Sequence, residues 1–222
     1  MQRGATRPLI LRKVGIGDTW RSISARDFYD EVQSVAAGLM ARGLEPGDRV
    51  AIMSRTHYEW TLLDFACWAA ALVPVPIYET SSIDQVAHVL VDADVHLIIT
   101  ETVSMAEIVR AAAERENRDN THVLSLDSEA IETLIAEGSA TPRERVLARS
   151  EALTKDDIAT IVYTSGTTGT PKGTVLSHEN FTNLCLNAHA WMPEIAAGKN
   201  SRLLLFLDRK STRLNSSHSA KS

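Results

Sequence analysis

The sequence lacks a long hydrophobic run, and this absence bounds the class of protein. No segment of the 222 residues reaches the roughly 18 uninterrupted apolar residues that predict a membrane-spanning helix. The most apolar stretch, WTLLDFACWAAALVPVPIY, is interrupted by Asp64, Pro74 and Pro76. The basic amino terminus also lacks the apolar core of a signal peptide. We therefore expect a soluble, cytoplasmic protein, and contact with a membrane surface is left open.

Cysteine and positive charge are also scarce. Cys67 and Cys185 lie far apart in apolar, helical surroundings, so we expect two buried free thiols and a reducing compartment. The formal net charge of −5 argues against a general nucleic-acid binder. With 44% hydrophobic and 23% charged residues, the composition is that of a globular protein of one large or two small domains.

Strand-like and helix-like segments alternate along residues 19–137. Predicted strands are 19–23, 49–54, 73–78, 95–100 and 121–126, and predicted helices are 24–42, 59–72, 82–92, 104–116 and 128–137. The first helix starts in a capping box at residues 24–27 and ends before Gly43, which suits a C′ position. Alternation with continuous apolar strands predicts an α/β fold with a largely parallel sheet flanked by helices. Residues 138–155 are polar, and we expect a surface excursion there.

A glycine-rich turn follows the next predicted strand, residues 157–163. The run TSGTTGTPKG leads into GTVLSH, which reads as a return strand, and Asn180 is the predicted N-cap of a helix through Trp191. The loop is therefore expected to join two strands as a hairpin.

The composition of this turn suits a polyphosphate. Glycines let backbone N–H groups point at an anion, hydroxyls add donors, and Lys172 adds charge. The alternative is a solvated hairpin loop, since Gly, Ser and Thr are common in turns. The loop is not a Walker A motif, because Pro171 precedes the lysine and Gly173 follows it. There is no G-x-G-x-x-G element, and no histidine has convincing metal-ligand spacing.

The run YTSGTTGTPKG, followed by TVLSHEN, resembles the phosphate-binding signature of the adenylate-forming superfamily. That superfamily includes acyl-CoA synthetases, luciferases and peptide-synthetase adenylation domains. The resemblance implies an ATP phosphate site formed by Thr164, Ser165, Gly166, Thr167, Thr168, Gly169, Lys172 and Gly173. It also implies Mg²⁺ and two steps, in which a carboxylate attacks the α-phosphate of ATP and a CoA thiolate then displaces AMP.

Residues 48–82 narrow the resemblance. Their YEW…D…W…VPIYETSS pattern resembles the amino-terminal region of bacterial long-chain fatty-acid CoA ligases, so a long-chain fatty acid is the favoured substrate. Two alternatives stay open: a non-catalytic phosphate-binding fragment, and an adenylating enzyme for another carboxylic acid. For Trp60, Trp68 and Tyr78, core packing is favoured over substrate contact.

The resemblance covers residues 19–207 and breaks at Asp208. We expect residues 1–207 to be a partial amino-terminal domain with a clipped start, and residues 208–222 to be a foreign-looking or disordered tail. The family's adenine, ribose, magnesium and catalytic lysine motifs would all follow residue 207. The isolated chain is therefore expected not to catalyse adenylation.

Overall fold

Strands and helices alternate along the chain in the computed structural model, which describes residues 8–13, 19–118, 120–164 and 171–193. The strands are β1 (Pro8–Lys13), β2 (Trp20–Ser24), β3 (Arg49–Met53), β4 (Val73–Ile77), β5 (Val95–Thr100), β6 (His122–Ser125), β7 (Ile158–Thr164) and β8 (Lys172–Ser177). The helices are α1 (Ala25–Ala41), α2 (Tyr58–Ala69), α3 (Ile83–Asp92), α4 (Val103–Arg115), α5 (Ala130–Gly138), α6 (Arg143–Ala152) and α7 (His178–Trp191), with a 3-10 turn at Leu126–Ser128.

Four parallel strands form the central sheet in the order β4-β3-β5-β6. In the β3–β4 pair, Arg49 aligns with Val73 and Met53 with Ile77. All five residues of β4 are buried. Two prolines fit in β4 because it is the outer strand of this ladder, where a missing N–H breaks no sheet hydrogen bond. The predicted α/β fold with a parallel sheet is confirmed.

Helices cover both faces of the sheet. Val50 and Ile52 of β3 belong to the apolar cluster that includes side chains of α1, α2 and α5. Ala51 and Met53, which alternate with them, belong to the cluster formed with α3 and α4. Since successive side chains of a strand point to opposite faces, this alternation places one core on each side of the sheet.

Two glycines allow a close crossing of α1 and α5. A Cβ atom on Gly38 would lie 2.1 Å from the carbonyl oxygen of Leu134, and one on Gly138 would lie 2.4 Å from the backbone nitrogen of Gly38. No side chain fits at either distance, so the backbones of the two helices touch directly. This contact joins the first helix, α1, to α5, which packs in the same apolar cluster.

Helix ends agree with the predicted capping signals where those signals are strong. Ser24 forms the predicted capping box at the start of α1, and Ser82 forms a second capping box, which was not predicted, at the start of α3. Gly43 has φ +83°, the left-handed conformation expected just after a helix. Helix α2 ends at Ala69 rather than at residue 72, because Ala71 takes up φ +59° as the chain reverses into β4.

One helix in a polar surface segment was not predicted, and two predictions about α7 are wrong. Residues 138–155 contain α6, which was missed because its one buried apolar side chain, Val146, gives no periodic signal. Cys185 is exposed on α7, whereas Cys67 is a buried free thiol as expected. Ser177, rather than Asn180, is the N-cap of α7; the Asn180 side chain accepts from the Ser177 N–H in a capping box.

The amino-terminal residues also form a strand that was not predicted. β1 pairs antiparallel with β2 as a separate two-stranded sheet. The predicted tail at residues 208–222 lies outside the described residues.

Candidate functional site

The phosphate-type turn lies between two strands that pair as an antiparallel hairpin. Thr164, the last residue of β7, is opposite Lys172, the first residue of β8, and Tyr163 is opposite Gly173. The predicted hairpin is therefore confirmed. The other predicted phosphate contacts, Ser165, Gly166, Thr167, Thr168 and Gly169, lie outside the described residues.

The two stem residues offer complementary chemistry at the mouth of the hairpin. Lys172 is exposed, and none of the carboxylates in the described ranges pairs with it; Thr164 is half-buried. An ammonium group beside a hydroxyl can bind a phosphate through charge and a hydrogen bond. The geometry places these two predicted residues together.

Gly173 has a structural reason to be glycine. A Cβ atom there would lie 2.9 Å from Cγ2 of Ile161 and 3.2 Å from Cζ of Tyr163. Side chains of β7 therefore occupy the space above this residue. The sequence interpretation, in which this glycine admits a ligand to the backbone, missed this packing role.

One side of the hairpin is attached to α2 and β4. The indole Nε1–H of Trp68 donates to the carbonyl oxygen of Ala159 at 2.7 Å, and the hydroxyl of Thr160 donates to the carbonyl oxygen of Pro74 at 2.8 Å. The Trp68 ring also contacts His178 and Phe181 edge-on, with centroids 5.6 and 5.4 Å away. Trp68 thus packs between the sheet and α7, in agreement with the favoured packing role.

The other side is attached to α3. The Tyr163 hydroxyl donates to Oδ2 of Asp92 at 2.5 Å, and Nε2 of His88 lies 2.8 Å from the carbonyl oxygen of Pro171. Burial, followed by the hydrogen bond to Asp92, raises the pKa of Tyr163, so the hydroxyl stays protonated. His88 and Asp92 were not predicted, although two polar residues four apart in the segment IDQVAHVLVD were a usable signal.

Asp157 orders the chain where it enters the hairpin. Its carboxylate accepts from the N–H and hydroxyl of Thr154, at 2.6 and 3.0 Å, and these bonds lower the pKa of Asp157. Its carbonyl oxygen accepts from the N–H of His178 at 3.0 Å. Burial lowers the pKa of His178 and outweighs the nearby Asp157 charge, so the imidazole favours its neutral form. His178 is the first residue of α7.

A second polar cluster lies beyond the carboxyl ends of β3 and β5, and the sequence analysis did not predict it. Oγ of Ser54 lies 2.8 Å from Nε2 of His57, whose Nδ1 lies 2.8 Å from Oε2 of Glu59. Arg55 donates its backbone N–H and its Nε–H to Glu101 at 2.8 and 2.9 Å. The only sequence signal for this cluster is the polar segment SRTHYE, residues 54–59, directly after the buried strand β3.

This cluster resembles a Ser-His-Glu triad in connectivity, but it is not arranged for nucleophilic attack. Ser54 has no exposed surface, and its hydroxyl also bonds the carbonyl oxygen of Arg55 at 2.9 Å. The hydrogen bond to His57 lowers the pKa of Glu59. Burial opposes ionisation of Glu101, but the hydrogen bonds and charge of Arg55 outweigh burial, so the pKa of Glu101 is lowered. The cluster therefore ties the ends of two strands together.

Neither a metal cluster nor a membrane-spanning helix is found in the described ranges. Within them, no three His, Cys, Asp or Glu side chains are arranged to hold a metal ion. No helix among the described residues has both the length and the apolar character to cross a bilayer.

Comparison with known proteins shows the family. The sequence profile of the AMP-binding enzyme family matches residues 2–209. The long-chain-fatty-acid–CoA ligase FadD15 of Mycobacterium tuberculosis is 37% identical over 194 residues, which are 86% of this chain and 32% of the relative. The peroxisomal long chain acyl-CoA synthetase 7 of Arabidopsis thaliana is 35% identical over 160 residues, 68% of this chain and 23% of the relative.

Solved structures of other proteins have the same fold as this chain. ATP-bound MatB from Rhodopseudomonas palustris superposes with a TM-score of 0.66 at 27% identity, over 84% of this chain and 35% of that one. A fatty acyl CoA synthetase of M. tuberculosis gives 0.64 at 24% identity, covering 77% of this chain and 32% of its own, which shows the fold. The chain thus spans about a third of the length of the FadD15 relatives it matches.

Proposed function

The chain belongs to the AMP-binding enzyme family, and from that membership we propose that it supplies the ATP phosphate-binding part of an AMP-forming acyl-CoA synthetase. The observation that carries the proposal is the β7–β8 hairpin, which aligns Thr164 with an exposed and unpaired Lys172, within the described residues, at the family's signature.

The chemistry of the first step explains why such a hairpin is useful. When a carboxylate attacks the α-phosphate of ATP, negative charge develops on the departing pyrophosphate. A lysine ammonium and hydroxyl donors held at the β- and γ-phosphates stabilise that charge. The described residues offer no carboxylate cluster for Mg²⁺, so we propose that the ion arrives with the nucleotide, where it would neutralise phosphate charge.

We propose a long-chain fatty acid as the carboxylate and CoA as the acceptor thiol. Support comes from the relatives, two of which are named as long-chain acyl-CoA ligases or synthetases. An adenylating enzyme for a different acid is the second candidate, because the preference for a long chain comes from the relatives rather than from the site itself. A cytoplasmic location rests on the sequence alone and is proposed with the function.

We further propose that the 222-residue chain does not complete adenylation by itself. It is expected to bind magnesium pyrophosphate but to show no exchange of labelled pyrophosphate into ATP. Measurable exchange by the purified chain would contradict this part of the proposal. Absence of pyrophosphate binding would contradict the phosphate site itself.

A chimera tests the ligase assignment. Residues 19–207 would replace the matching segment of the M. tuberculosis FadD15 relative, and acyl-CoA formation would be measured with short-, medium- and long-chain acids. We expect activity with long-chain acids. Lys172→Ala in the chimera should lower kcat/KM by about tenfold or more, the loss expected when one charge-assisted hydrogen bond is removed. A folded chimera that forms no acyl-CoA would favour the non-catalytic alternative, and an active chimera in which Lys172→Ala changes nothing would contradict the proposed role of Lys172.

A further inference from the structure

We propose that His88 and Asp92 of α3 are positioning residues, which hold the two stems of the β7–β8 hairpin and thereby set its affinity for a polyphosphate. The inference rests on the proposed phosphate site and adds to it two residues outside the signature.

His88 fixes the peptide group immediately before Lys172. A carbonyl oxygen can only accept, so Nε2 of His88 carries the hydrogen that bonds to Pro171 at 2.8 Å. In a trans peptide the C=O and the following N–H point in opposite directions, and the described residues contain no cis bond. Holding the Pro171 carbonyl toward α3 therefore turns the N–H of Lys172 away from α3. This fixes the backbone orientation of Lys172 at the start of β8.

Asp92 holds the opposite stem at an electrostatic cost. It is the last residue of α3, where the helix dipole disfavours a negative charge. The residue makes one strong contact that offsets this cost, the 2.5 Å bond from the Tyr163 hydroxyl. A charge that breaks a local rule and finds its partner on another element indicates a role in joining the two elements.

Tyr163 connects both contacts. Its ring meets the His88 ring edge-on, with centroids 5.8 Å apart and an interplanar angle of 86°. The same ring fills the space above Gly173, the residue after Lys172. His88 and Asp92, four residues apart, lie on one face of α3 and therefore bind the hairpin as a pair. Together they set the registration of Thr164 and Lys172.

The experiment titrates magnesium pyrophosphate into the full chain and four variants. His88→Leu removes the donor, His88→Gln keeps an N–H donor, and Asp92→Ala removes the tyrosine's acceptor. Asp84→Ala is the matched control. Asp84 lies at the other end of α3, pairs with Arg115 of α4 and does not touch the hairpin. Urea unfolding and amide hydrogen exchange of residues 172–177 are measured on the same samples.

His88→Leu and Asp92→Ala should each weaken pyrophosphate binding by about three- to tenfold, the range of one ordinary hydrogen bond. His88→Gln should recover most of the loss, and Asp84→Ala should bind like the unmodified chain. Amide exchange at residues 172–177 should quicken in His88→Leu but not in Asp84→Ala.

Each outcome decides the matter. If the unmodified chain binds and both His88→Leu and Asp92→Ala bind equally well, the positioning role is overturned while the phosphate site stands. If Asp84→Ala weakens binding as much as Asp92→Ala, helix stability explains the effect and the role is again overturned. If the unmodified chain does not bind, the phosphate site falls and the positioning role with it. If His88→Leu does not fold, the pyrophosphate affinity of Asp92→Ala is compared with that of Asp84→Ala, and this comparison tests the positioning role.

Discussion

The molecule contains two regions that are stabilised in different ways. In the sheet body, formed by β3–β6 with α1–α5, all five residues of β4 are buried and two apolar clusters fill both faces. In the hairpin unit, formed by β7, β8 and α7, neither β8 nor α7 contains a buried residue. Leu184 is 66% exposed and Trp191 is 83% exposed.

This difference shows what holds each region. Burial of apolar area stabilises the sheet body, and its stability is distributed over many contacts. In the hairpin unit the buried residues lie in β7, and directional bonds from Trp68, Thr160, Tyr163 and His88 make up a larger share of its attachment to the sheet body. Substitutions should therefore unfold the sheet body but only detach the hairpin unit.

The largest effect is expected at the α1–α5 crossing. Gly38→Val would force a side chain into the backbone of Leu134, so the helices must separate, at a cost of about 4 kcal/mol or more. Ala41→Val, on the exposed face of the same helix, should cost much less. Urea unfolding followed by circular dichroism measures both; similar midpoints would show that the crossing is not a tight contact.

A pair of leucines compares the regions directly. Leu63→Ala in the buried core should lower the free energy of unfolding by about 3 kcal/mol, because it leaves a cavity. Leu184→Ala on α7 should change it by less than about 0.5 kcal/mol. If Leu184→Ala proved as costly as Leu63→Ala, α7 would have to be buried in solution, and the contrast between the regions would be lost.

Trp68→Phe should affect the junction of the two regions. It removes the Nε1–H bond to Ala159 while keeping an aromatic ring, so the loss is about 1 kcal/mol. Hydrogen exchange should quicken in β7 and α7 and stay unchanged in β3 and β5. Uniform quickening across both regions would mean that they unfold as one unit.

Acid should have the smallest effect and should act on the sheet body. The pKa of Glu101 is lowered in the folded chain, so its contribution to stability is present above the pKa of an unfolded glutamate, about 4.3, and is lost as the pH falls through the lower folded value. The effect is small because Arg55 is exposed to solvent and its charge is screened. Glu101→Gln should flatten the pH dependence of the free energy of unfolding below about pH 4.5, where a glutamate begins to be protonated. An unchanged slope would show that Glu101 is not the source of that pH dependence.

The sequence predicted the sheet body well, since its signals are local and repeated. Continuous apolar strands, the capping box at Ser24 and the alternation of strands with helices identified β3–β5, α1 and α3 to within a residue or two. Helix α6 could not be identified in the same way, because it is held by Val146 and by the bond from Arg149 to the carbonyl of Leu44 at 2.7 Å rather than by an apolar stripe.

The candidate site was predicted only in part, for a similar reason. Thr164 and Lys172 carry a recognisable motif, and the structure aligns them at the end of the hairpin. His88 and Asp92 contact the hairpin from α3, and the Tyr163–Asp92 pair is separated by 71 residues along the chain. Such partners become visible only when the helix and the hairpin are packed together.

The most direct test of the account is the affinity of the 222-residue chain for magnesium pyrophosphate, compared with that of Lys172→Ala. Lys155→Ala is the matched control, because Lys155 is a surface lysine of the same region that pairs with Glu179 at 2.8 Å. The account predicts measurable binding, a loss of about tenfold or more in Lys172→Ala with unchanged unfolding, and no loss in Lys155→Ala. Equal affinities for the unmodified chain and Lys172→Ala, or no binding at all, would contradict it.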